Sequence, residues 1–92
     1  TREAIRLPLP PLTEENRRDL IRKAKGEAET ARVSIRNVRR DAIADVRELV
    51  REKESTEDEG RRAEEQLQKI TDSRVNEVDD VLAEKESDLL AF

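Results

Sequence analysis

From about residue 14 to 53 an apolar or small residue recurs at steps of three and four: Ile21, Ala24, Ala28, Ala31, Ile35, Val38, Ala42, Val46 and Leu49. That spacing follows the 3.6-residue period of an α-helix and marks a narrow, heptad-like stripe along one side of it. At 1.5 Å of rise per residue such a helix is roughly 60 Å long. Gly26 is its one weak point, costing ~1 kcal/mol against alanine. Thr13 reads as the N-cap, with Glu14 and Glu15 in the first turn, where the helix dipole favours acids.

A second helix begins after Ser55-Thr56-Glu57-Asp58-Glu59. Both Ser55 with Asp58 and Thr56 with Glu59 have the spacing of a capping box, and the latter pair matches its residue types. The second stripe runs Ala63, Leu67, Ile70 or Thr71, Val75, Val78, Leu82 and Leu89, over a helix of about 57–90. A connection of a few residues makes the two helices return antiparallel. With residue 55 at the turn, position x faces roughly position 110 − x, which sets Leu20 near Leu90 and Arg36 near Arg74. The expected fold class is all-α, an antiparallel long-helix hairpin forming two of the three helices of a bundle.

The third helix is expected because the stripes are thin. The chain has 92 residues, of which 34% are hydrophobic and 46% charged, and its only aromatic is Phe92. A two-helix hairpin of that composition buries one face per helix and leaves a groove open. A missing N-terminal helix or a second chain should cover it. The start at Thr1-Arg2-Glu3-Ala4, without methionine, points to a missing upstream segment. Low hydrophobicity alone would suit a disordered chain. However, the net charge is only −4, and the interspersed signs favour long helices.

Residues 1–12 end in Leu7-Pro8-Leu9-Pro10-Pro11-Leu12. The prolines fix φ and bias their predecessors to extended geometry, so this is a stiff lead-in to the helical part at 13–92. Cysteine is absent, which rules out disulfides and thiolate metal sites. No signal-peptide pattern opens the chain and no apolar run could span a membrane. Without His, Cys or Tyr, and with carboxylates on solvated faces, neither catalysis nor a cofactor is expected. Glu57-Asp58-Glu59 lacks the ligand spacing of a calcium loop and reads as a dipole-favoured first turn, so no metal is expected either.

The first helix carries the informative charge. The window 17–40 holds nine bases and three acids. Arg18, Arg22, Lys25, Arg32, Arg36 and Arg39 follow at steps of three, four or seven, forming a basic stripe. Arg36 has arginine at i−4, i+3 and i+4, and neither Arg39 nor Arg40 has an acid at i±3 or i±4. Like charges so placed cost about 0.2–0.5 kcal/mol per pair, which something outside the helix should offset. Two readings stay open. Acids of the second helix, or solvent alone, can balance the arginines. Alternatively the arginine forks bind phosphates, and with no aromatic beside them the target is the backbone and shape of structured RNA.

The segment Arg6-Leu7-Pro8-Leu9-Pro10-Pro11-Leu12-Thr13-Glu14-Glu15, with Gly26-Glu27-Ala28-Glu29 and Ala31-Arg32-Val33-Ser34-Ile35-Arg36-Asn37-Val38-Arg39-Arg40-Asp41, resembles the C-terminal portion of ribosome recycling factors. Lys53-Glu54, Glu57-Asp58, Gln68-Lys69, Thr71-Asp72, Lys85-Glu86, Leu89 and Phe92 extend the resemblance over essentially the whole chain without gaps. It implies a three-helix bundle joined by two hinge strands to a small β-rich domain, of which the first helix and the β-rich domain have no counterpart here. It implies Leu7, Pro8, Pro10 and Pro11 in one hinge strand. It implies a non-enzymatic cytoplasmic protein whose partners are the large ribosomal subunit, its RNA and elongation factor G. Arg36, Arg39 and Arg40 match the family's arginine cluster; Arg32, Arg22 and Lys25 are the further RNA-binding candidates. The rival is a structural coiled-coil element with no RNA role.

Overall fold

The computed structural model describes residues 13–91; the expected hinge positions Leu7, Pro8, Pro10 and Pro11 lie outside them. Two helices make up the fold, α1 (Glu14–Arg51) and α2 (Glu57–Leu90), packed as an antiparallel hairpin. Both start where the sequence places a cap. The Thr13 hydroxyl accepts the Asn16 backbone N–H at 3.0 Å. Of the two possible boxes ahead of α2, Thr56 with Glu59 forms. The Thr56 hydroxyl accepts the Glu59 N–H at 3.1 Å, and the Glu59 carboxylate accepts the Thr56 N–H at 2.9 Å. Those bonds, the Thr56 backbone N–H first, hold the Glu59 carboxyl below its ordinary value.

The end of α1 closes with Lys53 in the left-handed region (φ 61°). Its N–H donates to Val50 O at 3.0 Å and that of Glu54 to Leu49 O at 2.9 Å. This is the double bond pattern of a Schellman turn, with lysine where glycine is usual. The turn reverses the chain in five residues and brings Gly60, the fourth residue of α2, against Val50. A Cβ at Gly60 would stand 2.6 Å from Val50 Cγ2, so only glycine permits this approach.

The contacts that cross the hairpin set its register. Val50 meets Gly60, Arg47 reaches Glu64, Arg39 reaches Gln68 and Arg32 reaches Asp79. The paired numbers add to between 107 and 111, as the antiparallel reading requires. Along the seam Ala28, Thr71 and Leu89 are buried, and Ile21, Ile35, Ala42, Val46, Leu67, Val75 and Leu82 are half-buried. The choice between Ile70 and Thr71 falls to Thr71, whose hydroxyl satisfies itself on Leu67 O at 2.7 Å; Ile70 is 55% exposed. Val38 and Leu49, placed on the first stripe, are exposed instead.

The result is a ribbon one helix layer thick, 72 × 28 × 15 Å. Its radius of gyration is 21.7 Å, against about 12 Å for a compact domain of this size. No large side chain is fully buried among the described residues. The hairpin is held by a seam rather than a core.

Candidate nucleic-acid interface

The seam divides each helix into two flanks. From the seam positions Ile21, Ala28 and Ile35, a step of three lands on Ala24, Ala31 and Val38, and a step of four on Lys25, Arg32 and Arg39. Because 3.6 residues make a turn, the two steps fall on opposite sides of the seam. One flank is therefore apolar and the other basic.

On the apolar flank Ala24 and Ala31, beside the seam residues Ala28 and Ile35, face Val78, Val81 and Leu82 across an open groove, with Glu27, Arg74, Glu77 and Lys85 at its border. Arg74, the estimated opposite of Arg36, turns its guanidinium to Glu77 on its own helix at 2.8 Å. Val81 is 65% exposed and Val38 69%, large exposures for valines on long helices.

On the basic flank the arginines divide by partner. Arg32 is drawn into the hairpin: its side chain is 18% exposed and donates to Asp79 through both Nε (2.8 Å) and Nη2 (2.6 Å), with Glu29 a third contact at 3.1 Å. The Asp79 hydrogen bond is the main reason its guanidinium is held above the ordinary value. Arg47 reaches Glu64 at 3.1 Å. For these two the acidic second helix supplies the counter-charge. Arg39 also crosses the seam, half-buried, yet its Nη1 donates to the neutral side-chain oxygen of Gln68 at 3.0 Å. No carboxylate lies within ion-pair distance of Arg39 among the described residues.

Arg36 and Arg40 stay on the surface. Arg36 is 50% exposed, with Glu29 at the 4.0 Å limit of an ion pair; Arg40 is 70% exposed, 3.5 Å from Asp41. Exposed contacts of this length contribute ~0–1 kcal/mol and yield to a better partner. Arg22 pairs with Asp19 at 3.3 Å and Lys25 is exposed, both more than two turns away from Arg36. The candidates thus do not form one even stripe. Arg36, Arg39 and Arg40 cluster within two turns, while Arg32 is committed to Asp79.

Beyond the cluster, towards the turn, Arg39, Arg40, Arg47, Arg51 and Gln68 line a shallow hollow on the same flank, together with Glu48, which pairs with Arg51. Spacing within α1 does not mark Arg47, Arg51 or Gln68 as site residues. The hairpin register did hold a signal, since it sets position 71 opposite Arg39 and Gln68 lies one turn away. Among the described residues no three potential metal ligands gather, and no helix is long and apolar enough to cross a membrane.

The described residues form a thin, non-globular helical hairpin with a basic flank and an apolar flank. The ribosome recycling factor family model matches residues 1–90. The ribosome-recycling factor of Alcanivorax borkumensis is 64% identical over 86 residues, covering 94% of this chain and 46% of the relative. The chain belongs to the ribosome recycling factor family, a family of non-enzymatic translation factors, and spans about half the length of the curated relative it matches.

Proposed function

We propose that this hairpin is the ribosome-docking part of a recycling factor, acting in the cytoplasm. It sets Arg36, Arg39 and Arg40 against phosphates of large-subunit ribosomal RNA and, with elongation factor G, serves the splitting of post-termination ribosomes. The observation that carries the reading is the partner pattern of the basic flank. Family membership gives the ribosome as the place to look; Arg39 is held by a neutral amide rather than a carboxylate, and the ion pairs of Arg36 and Arg40 are long and exposed. Guanidinium forks on a rigid helix suit phosphate oxygens, and without aromatic neighbours they recognise backbone and shape rather than base identity. The apolar groove belongs to the same proposal. A third helix from the remaining length of the factor covers Ala24, Ala31, Val78 and Val81 and stiffens the ribbon into a bundle.

The test is co-sedimentation with large ribosomal subunits, beside circular dichroism. Arg36→Ala, Arg39→Ala and Arg40→Ala together should leave helicity intact and weaken binding on the order of 10²–10³-fold at moderate salt, as expected for three lost phosphate contacts. Unchanged co-sedimentation by a folded triple variant would overturn the reading.

A further inference from the structure

Three arginines of α1 cross the seam on the basic flank, and two of them end on carboxylates: Arg32 on Asp79 and Arg47 on Glu64. Arg39, between them, ends on an amide. The Gln68 amide is itself oriented, because its Nε2 donates to Asp72 Oδ1 at 2.9 Å. A carboxylate can only accept, so Asp72 takes the NH2 end and turns the amide oxygen towards Arg39. Arg39 is therefore fixed by a hydrogen bond without being neutralised by an ion pair.

We infer that Gln68 is a positioning residue for anion binding: oriented by Asp72, it holds the Arg39 guanidinium half-buried at the seam while leaving its positive charge for a phosphate. This inference rests on the proposed role of Arg39. A solvated arginine gives up side-chain entropy each time it binds, whereas one already held loses less. A carboxylate in the same place would hold it as well but would compete with the phosphate for the same donors. An amide supplies the first effect without the second. Gln68 touches no ligand under this scheme; it acts only through Arg39.

The decisive substitution is Gln68→Glu, nearly isosteric and set on an exposed stretch of helix. Binding of the protein to large ribosomal subunits is measured over a salt series for wild type, Q68E, R39A and the double variant, with circular dichroism on each. Q68E is expected to keep its helicity and lose roughly tenfold in affinity near 0.1 M salt. Its log K against log salt should be shallower by about 0.7–0.9, the mark of one lost phosphate contact. In the R39A background the same substitution should cost almost nothing, since the route through Arg39 is gone. Gln68→Asn, with the amide kept, should bind better than Q68E. A purely structural role predicts loss of helicity with an unchanged salt slope. If R39A weakens binding while folded Q68E binds as wild type, the inference about Gln68 fails alone. If R39A itself binds as wild type, the assignment of Arg39 fails first, and Gln68 has nothing to position.

Discussion

The two flanks of the hairpin lie back to back on the same two helices and differ in how their side chains are satisfied. On the basic flank Arg32, Arg39 and Arg47 find partners across the seam, and of these three Arg39 ends on a neutral amide. On the apolar flank the side chains between the charged borders are aliphatic, and nothing among the described residues covers them. Small residues such as Ala24 and Ala31 permit close approach by another helix, whereas arginines of the opposite flank would hold one off. One thin hairpin thus carries two kinds of surface, because a one-residue change of step, from three to four, moves a side chain from one to the other.

The largest expected effect lies on the apolar flank. Val81→Asp should lower the stability of the complete factor by roughly 3 kcal/mol or more in urea denaturation, because a covered groove would desolvate the new carboxylate. A change within about 0.5 kcal/mol would show that the groove stays wet.

The two glycines of the hairpin sharpen the contrast between seam and surface. Gly60→Ala forces a methyl group against Val50 and should cost about 1–3 kcal/mol in the same measurement. Gly26, with open space where a Cβ would stand, should behave in the opposite way, Gly26→Ala stabilising α1 by about 1 kcal/mol. Equal effects at the two positions would refute the close approach of α2 to Val50.

The smallest expected effect is a pH dependence at the start of α2. The folded Glu59 carboxyl lies below its ordinary value near 4.5, so its contribution is fully present above that pH and is lost as pH falls through the lower, folded value. Glu59→Gln should remove that part of the acid dependence of the melting temperature. An identical acid profile for both proteins would show that the capping box does not bear on stability.

Much of the fold was legible in the sequence because it rests on local chemistry. Thr13 and Thr56 sit where caps were expected, and a short turn with two long stripes leaves only an antiparallel return. The register followed to within a few residues. Less legible was which way each helix is rotated about its own axis. Val38 and Leu49 continue the apolar spacing but are exposed, and Val50 makes the contact with Gly60. Arg32 and Arg39 have the same spacing relation to the seam, yet one meets Asp79 and the other Gln68. Periodicity within α1 cannot separate them, because their difference is written in α2. The expected hinge segment lies outside the described residues, and no spacing in the chain points to the ribosome; only the family resemblance does.

The surface proposed to meet ribosomal RNA is the basic flank, through Arg36, Arg39 and Arg40. The most direct measurement is the salt dependence of binding to the large subunit, compared between wild type, the triple alanine variant and Val81→Ala on the other flank. A steep wild-type slope, shallower by about 2–3 in the triple variant and unchanged in Val81→Ala, is what the partner pattern predicts. A flat wild-type slope, or one that the triple variant leaves as it was, would contradict it.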